Sequence, residues 1–316
     1  MEYIRLGTSE LTVSRISLGC MRLSDEREVA LATIQAALDE GINFFDHANI
    51  YGGGSKEEVF AHVWAHHPGL RQKILLQSKC GIRFGGDPVP DAPGRYDFSY
   101  EHIIQSVEGS LRRLQTDYLD VLLLHRPDPL VEPEEVARAF DELHAAGKVR
   151  WFGVSNHTAA QIEFLKTAVT QPLIANQVQL SVVHNQLFND GVVFNQNDLG
   201  VHSRAEGTVE YCRTHHITLQ AWSPLAAGNV TGKPIDPDNQ RYLDTAAVVA
   251  ELADEKGVSK TAILVAWLLR HPAQIQPIIG TTSVERVRES CQALDFALTR
   301  EEWYRLFVAG RGGRMP

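Results

Sequence analysis

Four side chains of complementary acid–base chemistry lie near the ends of apolar runs in the first half of the chain. Asp46, Lys79 and His125 each end such a run, and Tyr51 follows the first of them, before a run of glycines. A free tyrosine has a pKa of about 10, and a neighbouring Lys cation favours tyrosinate, so we expect Lys79 to lower the pKa of Tyr51. Asp46 would keep Lys79 charged and in place, and His125 could donate a hydrogen bond to a substrate oxygen. The set predicts a proton-transfer site in which Tyr51 is the general acid.

Each of these residue types also has a common structural role. A lone Lys at a strand end is usually solvated, a lone His after a run of leucines is more often a hydrogen-bonded core residue, and a lone Tyr in a turn is usually packed. Convergence favours a site, because a parallel barrel directs its strand ends into one cleft. The chemistry therefore depends on whether the chain forms such a barrel.

Eight short apolar runs alternate with longer segments of helical spacing. Runs that are apolar on consecutive residues suit parallel strands buried on both faces. The predicted strands are residues 15–18, 43–46, 74–79, 118–125, 151–155, 175–180, 218–223 and 276–281. The predicted helices are residues 25–40, 56–66, 99–114, 133–146, 158–168, 208–215 and 260–270. Eight such alternations predict a closed (β/α)8 TIM barrel, formed by residues 1–316 as one domain.

The alternative fold for this pattern is an open, doubly wound sheet, which usually carries GxGxxG after its first strand. Neither residues 19–22 nor residues 52–54 match that motif. Residues 3–11 are predicted to form a small hairpin across one end of the barrel. Two long polar connections, residues 83–98 and 182–207, follow strands and are expected at the C-terminal face, where barrels build active sites.

The proton-transfer residues resemble the catalytic tetrad of the aldo-keto reductase family, in the same order and at the same strand ends. The segment GINFFDHANIYGGGSKEEVF is similar to that family's second strand and turn, and SLRRLQTDYLDVLLLHRPDP is similar to its fourth. The resemblance covers essentially the whole chain and is strongest to the bacterial branch with a long segment after strand six. It implies an NAD(P)H-dependent oxidoreductase that reduces a carbonyl, with Tyr51 as the proton donor and no metal.

The resemblance also assigns residues to the nicotinamide end of the cofactor. Ser155, Asn156 and Gln177 correspond to the residues that hydrogen-bond the carboxamide, although such residues at strand ends are also common in structural turns. Trp222 falls where the family places an aromatic ring that stacks on the nicotinamide, and its structural alternative is packing at the barrel rim. Three further residues begin the loop that approaches the pyrophosphate in the family: Ser223, Leu225 and Gly228.

The segment PIIGTTSVERVRES resembles the family's adenosine-phosphate site, where short residues after a strand precede a helix start. The resemblance places Gly280, Thr281 and Ser283 at the phosphate, Arg286 at the 2′-phosphate and Glu289 near the adenine. Several relatives carry Lys where this chain has Gly280, and often a basic residue or Thr where it has Ser283. The preference for NADP(H) over NAD(H) therefore depends mainly on Arg286, whose guanidinium suits a phosphate.

Two other functions use the same residues. A nicotinamide-binding regulatory or sensor subunit with vestigial catalysis would keep the fold, but the intact tetrad argues against it. An aldolase or isomerase barrel with a Schiff base on Lys79 would keep the lysine, but the nicotinamide-site matches argue against it.

The substrate class is open among aldehydes, ketones, quinones and sugars. The two long connections, Met21, Trp222 and the C-terminal tail are expected to wall the pocket. Arg83 and Arg95 are candidates for attracting a carboxylated substrate, although loop arginines are usually only solvated. Five aromatic residues of the connections either line the pocket or pack the loops: Phe84, Tyr96, Phe98, Phe188 and Phe194.

The composition of the chain limits the classes of binding partner that we expect. The net charge is −9, from 30 Lys and Arg against 39 Asp and Glu, which disfavours nucleic acid and anionic membranes. Four widely spaced cysteines indicate neither a zinc site nor a disulfide framework, so we expect reduced thiols in a cytoplasmic protein. The N-terminal segment lacks the apolar region of a signal peptide, and no apolar run is long enough to span a membrane. A monomer is expected, since no interface is identifiable.

Overall fold

The computed structural model describes residues 1–193 and 207–315, which form twelve strands and twelve α-helices. The strands are β1 (Tyr3–Arg5), β2 (Thr12–Ser14), β3 (Ser17–Gly19), β4 (Phe44–Asp46), β5 (Leu75–Cys80), β6 (Ile82–Arg83), β7 (Arg95–Tyr96), β8 (Leu119–Leu124), β9 (Val149–Ser155), β10 (Leu173–Gln179), β11 (Thr218–Trp222) and β12 (Gln276–Ile279). The helices are α1 (Arg27–Asp39), α2 (Ser55–Ala61), α3 (Val63–His66), α4 (Tyr100–Leu114), α5 (Pro133–Ala145), α6 (Ala159–Leu165), α7 (Gln186–Val193), α8 (Thr208–Thr214), α9 (Gln240–Lys256), α10 (Lys260–Leu269), α11 (Val284–Cys291) and α12 (Arg300–Arg311).

Eight parallel strands close into a barrel, and helices lie between consecutive strands. Strands β3, β4, β5, β8, β9, β10, β11 and β12 pair in chain order, and β12 pairs with β3 to complete the ring. The apolar runs are buried along their length, as in β8, where all six residues are buried. The predicted (β/α)8 barrel is therefore confirmed, and each of the eight predicted strands overlaps one of these.

The predicted N-terminal hairpin is confirmed and closes the bottom of the barrel. Strands β1 and β2 pair antiparallel, and Leu6, Leu11 and Val13 pack with residues of the barrel interior that include Phe44. Gly7 has a φ of +55°, and a Cβ at this position would lie 2.3 Å from the Ile174 carbonyl oxygen. Only glycine permits that approach. The opposite, C-terminal end of the barrel is left for a site.

Helix prediction was less complete. The seven predicted helices all have counterparts, but α7, α9 and α12 were not predicted, and α11 was anticipated only as a helix start. Helix α7 lies inside the connection 182–207, so the prediction of one long polar loop is wrong for residues 186–193. Phe188 of α7 packs against Trp267, Trp303 and His271, with ring centroids 5.5, 5.8 and 4.4 Å away. Tertiary packing therefore stabilises a helix that local sequence signals do not announce.

The connection 83–98 forms a short antiparallel ribbon of β6 and β7. Phe98 at its end is buried and stacks on His157 at a centroid distance of 6.2 Å. Phe98 and Phe188 therefore pack the loops onto the barrel, whereas Phe84 and Tyr96 are exposed by 55% and 41%. Phe194 lies outside the described residues. No helix of the described chain combines the length and apolar character needed to cross a membrane.

Candidate active site

The four predicted catalytic residues meet at the C-terminal end of the barrel. Lys79, on β5, is fully buried and donates three hydrogen bonds from Nζ. These reach Asp46 Oδ2 at 2.8 Å, the His47 carbonyl oxygen at 2.7 Å and the Tyr51 hydroxyl at 2.9 Å. An ammonium group has three N–H donors, so each of them is used. Lys79 is thereby fixed as a bridge between the carboxylate and the phenol.

A belt of buried glutamines supports Asp46 from inside the barrel. Asp46 Oδ1 accepts from Gln77 Nε2 at 2.6 Å and from Gln177 Nε2 at 2.9 Å. Both amides also donate to Gln220 Oε1, and Gln220 Nε2 donates to Gln276 Oε1 at 2.9 Å. Sequence reasoning identified only Gln177 among these four. Both oxygens of this buried carboxylate are therefore hydrogen-bonded, which offsets the cost of burying it.

Burial, not the lysine charge, dominates the pKa of Tyr51. Desolvation raises the pKa of the phenol and outweighs the lowering effect of Lys79, so the pKa lies above the usual value of 10.0. The expectation of a lowered pKa is therefore wrong, because it left out the cost of burying a phenolate. Burial also lowers the pKa of Lys79, but Asp46 and Tyr51 overcome it and the net pKa is raised. At neutral pH the pair is a protonated phenol beside an ammonium ion.

His125, at the end of β8, faces the phenol and is neutral. Its ring centroid lies 5.9 Å from that of Tyr51, edge-on at 80°. Burial first, and then the charges of Lys79 and Arg126, lower its pKa to about 2. Within the described residues, His125 Nδ1 has no hydrogen-bond partner. A neutral imidazole keeps one N–H donor, as a role in orienting a substrate oxygen requires.

The turn that carries Tyr51 is held by a buried ion pair that sequence reasoning missed. Glu57 is fully buried, accepts from Ser78 Oγ at 2.7 Å and from Arg113 Nε at 2.9 Å, and lies 2.8 Å from Arg113 Nη2. Gly54 has a φ of +104°, and a Cβ there would lie 2.9 Å from the Arg113 side chain. The only local signal was the glycine run after Tyr51, because the pairing of Glu57 with Arg113 needs the packing of α2 on α4.

The residues assigned to the nicotinamide end form one hydrogen-bonded group next to the tetrad. Asn156 adopts a φ of +61°; its Nδ2 donates to the His125 carbonyl oxygen at 3.2 Å and its Oδ1 accepts from Trp222 Nε1 at 3.0 Å. Ser155 Oγ donates to the Gln177 carbonyl oxygen at 2.8 Å. The structure thus brings these four residues together and links them to His125 and, through Gln177, to Asp46.

The loop after β11 has an unusual backbone. Ser223, Ala226 and Ala227 have φ values of +52°, +49° and +56°, and Gly228 has +84°, with Leu225 between them. Left-handed conformations are uncommon for residues other than glycine and often mark functional loops. Such turns direct backbone N–H groups to one side and can bind anions. In this loop, however, the Ala226 and Gly228 N–H groups donate to the Ser223 and Leu225 carbonyl oxygens, so these two groups are already used within the turn.

The segment after β12 leaves room for a phosphate group. A Cβ added at Gly280 meets nothing within 4 Å, so no packing in the described chain requires glycine there. Thr281 Oγ1 accepts from the Ser283 backbone N–H at 3.0 Å, and Ser283 Oγ caps α11 by accepting from the Arg286 backbone N–H at 3.3 Å. Both hydroxyls keep a proton to donate.

Arg286 and Glu289 differ in how they are held. Arg286 is exposed on the first turn of α11, and within the described part of the chain its guanidinium has no hydrogen bond or ion pair. Glu289 lies in the second turn of α11 and accepts a hydrogen bond from Thr261 Oγ1 at 3.0 Å. Within the described residues, the first turn of α11 therefore carries one exposed guanidinium without a partner.

The two loop arginines considered for substrate binding, Arg83 and Arg95, already bind acidic residues of their own loop. Arg83 pairs with Asp97 at 2.6 Å and with Asp87 at 3.0 Å. Arg95 lies 3.6 Å from the same Asp97 carboxylate and donates to the Asp87 carbonyl oxygen at 2.7 Å. These arginines stabilise the β6–β7 ribbon, so their use for a carboxylated substrate is not supported.

Fold and site together define a (β/α)8 barrel with a partly buried tyrosine, a paired lysine and a neutral histidine at the C-terminal end. The family model for the Aldo/keto reductase family matches residues 15–307. An uncharacterized oxidoreductase, YcsN of Bacillus subtilis, is 37% identical over the full length of both chains. The 6-dehydroglucose reductase of Agrobacterium fabrum is 36% identical over 96% of this chain and 97% of its own. The solved glycerol dehydrogenase AKR11B4 of Gluconobacter oxydans has a TM-score of 0.79 at 25% identity, over 97% of this chain and 94% of its own.

The chain belongs to the aldo/keto reductase family. Its members are oxidoreductases that act on small molecules and use a nicotinamide cofactor. The resemblance seen in the sequence is thereby confirmed for the family and for the fold.

Proposed function

We propose that this protein reduces an aldehyde or ketone with NADPH and that Tyr51 is the general acid. The observation that carries the proposal is the hydrogen bond of 2.9 Å from the Lys79 ammonium to the Tyr51 hydroxyl, made from a lysine that is itself fixed by Asp46. A Schiff-base role for Lys79 is disfavoured, because its pKa is raised and such a lysine must be neutral to attack a carbonyl.

The mechanism follows from the protonation states of the chain's own residues. When bound, the cofactor supplies the hydride for the carbonyl carbon. His125 donates a hydrogen bond to the carbonyl oxygen and orients it, while Tyr51 transfers its hydroxyl proton to that oxygen as negative charge develops. The buried Lys79 cation stabilises the tyrosinate that remains, and Asp46 keeps the cation in place. Tyr51 then regains a proton before the next turnover.

The functional test is cofactor oxidation by the purified protein, followed by absorbance, with NADPH or NADH and a panel of carbonyl compounds. The similarity to a 6-dehydroglucose reductase makes sugar-derived aldehydes the first natural candidates to include. Carbonyl-dependent loss of NADPH would support the reductase. Tight nicotinamide binding without turnover on any carbonyl would instead favour the sensor subunit.

The cofactor preference can be tested at Arg286. We propose that its free guanidinium pairs with the 2′-phosphate of NADPH, so replacing it with alanine should raise the Kd for NADPH by about tenfold and leave that for NADH nearly unchanged. Binding is measured by quenching of tryptophan fluorescence. Arg288→Ala is the matched control, because Arg288 is exposed on the same helix. Equal effects of Arg286→Ala on both cofactors would remove Arg286 from this role.

The pH dependence of reduction has a defined sign. His125, with a pKa of about 2, is already neutral at pH 5.5, so we expect no loss of kcat/KM near pH 6.5, where a free histidine titrates. Tyr51 must be protonated to act as an acid, so activity should be lost only as the pH rises through its pKa, above the usual value. The measurement is kcat/KM from pH 5.5 to 10.5. An acid limb centred near 6.5 would contradict the assignment of a neutral His125.

A further inference from the structure

Arg126 follows His125 directly and extends towards the residues assigned to the nicotinamide end. Its guanidinium carbon lies 5.6 Å from the centre of the Trp222 ring. The side chain is partly buried. Across residues 1–193 and 207–315, its guanidinium makes no hydrogen bond and no ion pair. Its charge also helps to lower the pKa of the neighbouring His125.

Several other cations around this end of the barrel are paired with carboxylates. Lys79 pairs with Asp46, Arg83 with Asp97, and Arg113 with Glu57. Lys56 pairs with Asp25 at 2.5 Å. Arginines that are partly withdrawn from water normally find a carboxylate or carbonyl, because each unmet donor costs free energy. Within the described residues, Arg126 differs from these four cations in having no acceptor for its donors, and it does so directly beside His125.

Stacking on Trp222 does not account for this arrangement. A cation–π contact is made through the face of the guanidinium and leaves the N–H groups at its edge free. Those donors lie in the plane of the fork, which is the geometry that binds paired oxygen atoms.

We propose that Arg126 binds acceptor oxygens on the carbonyl substrate and so selects aldehydes or ketones that carry hydroxyl or carboxylate groups near the carbonyl over plain alkyl compounds. The inference rests on the proposed reductase function and names the substrate class of the same site. Hydroxyls and carboxylates present the same acceptor chemistry to a guanidinium, although a carboxylate adds charge complementarity. The side of the cleft formed by His125, Arg126 and Trp222 is then the specificity surface.

Two pairs of aldehydes of equal length test the proposal. Glyceraldehyde is compared with propanal, and succinic semialdehyde with butanal, each with saturating NADPH. Arg126→Met should lower kcat/KM for the oxygen-bearing member of at least one pair by about 10- to 100-fold, with at most a twofold change for its alkyl counterpart. An effect confined to glyceraldehyde identifies hydroxyl recognition, and one confined to succinic semialdehyde identifies carboxylate recognition. Arg126→Lys should restore only part of the loss, because Lys lacks the planar fork.

The control is Arg138→Met, which removes an arginine that lies over Tyr100, 3.8 Å from its ring centre, on the outer surface. That variant should not alter discrimination within either pair. Equal losses for polar and alkyl aldehydes in Arg126→Met, or a weakened Kd for NADPH with unchanged discrimination, would overturn the proposal and leave the reductase intact. If the unmodified protein reduces neither alkyl nor polar aldehydes nor any other carbonyl, the proposed function itself fails, and this inference fails with it.

Discussion

Replacing Tyr51 with phenylalanine is expected to lower kcat for carbonyl reduction by about 10²–10⁴-fold, the usual contribution of a positioned general acid. The substitution removes one hydroxyl and keeps the ring, so the edge-on contact with His125 is retained. The remaining rate would come from orientation of the carbonyl by His125 and from the bound cofactor. Initial rates with NADPH and a reactive aldehyde measure the loss.

Cofactor binding provides the control for Tyr51→Phe. The Tyr51 hydroxyl accepts a hydrogen bond from Lys79. None of the residues assigned to the phosphates of the cofactor is hydrogen-bonded to Tyr51. The Kd for NADPH should therefore stay within about twofold of the unmodified protein, by tryptophan fluorescence. Unchanged turnover in this variant would show that the proton comes from elsewhere. Loss of NADPH binding by a variant that still folds would show that the phenol is needed for cofactor binding.

The four proposed catalytic residues could be found in the sequence because Asp46, Lys79 and His125 stand at strand ends and Tyr51 follows in the turn after the first of these strands. Once eight apolar runs predict a closed parallel barrel, strand ends must converge, and residues as distant in the chain as Asp46 and His125 become neighbours. The pairing of Lys79 with Asp46 followed from charge alone. The structure adds the His47 carbonyl oxygen as the third acceptor of Lys79. A backbone acceptor has no signature in the sequence.

The belt of buried glutamines around Asp46 could not be predicted from the sequence in the same way. Gln220 is in register with Gln177 on one neighbouring strand and Gln276 on the other. Whether such side chains point into the barrel or towards the helices depends on strand register, which a single sequence does not specify. The prediction that the pKa of Tyr51 is lowered was wrong for a related reason. The sign of the lysine effect is general, but the burial that outweighs it is a property of the folded site.

The missed helices show the limit of local signals. Helix α12 begins with a capping box formed by Thr299 and Glu302, a pattern visible in the sequence, yet its apolar face is understood only against α9. Gly310 of α12 lies so close to Val182 that a Cβ would come within 2.0 Å of the Val182 carbonyl oxygen. This contact ties the C-terminal helix to the start of the segment that follows β10.

Replacing Lys79 with methionine should cost about 3–5 kcal/mol in the free energy of unfolding, in addition to most of the activity. The variant leaves the buried Asp46 carboxylate without its cation, while the side-chain volume is nearly kept. Unfolding in urea, followed by tryptophan fluorescence, measures the change. Lys148→Met is the matched control, because Lys148 pairs with Glu108 where both side chains are more than a third exposed, and its loss should cost under about 1 kcal/mol.

The double variant Asp46→Asn/Lys79→Met separates electrostatics from packing. If the penalty in Lys79→Met arises from an unpaired carboxylate, neutralising Asp46 should recover a large part of it, so the double variant should be more stable than the sum of the single changes predicts. Activity should not return, since Tyr51 still lacks its cation. Additive losses of stability would mean that Lys79 acts mainly by filling space. Recovery of turnover together with stability would mean that the charge on Lys79 is dispensable for proton transfer, contrary to the mechanism proposed for Tyr51.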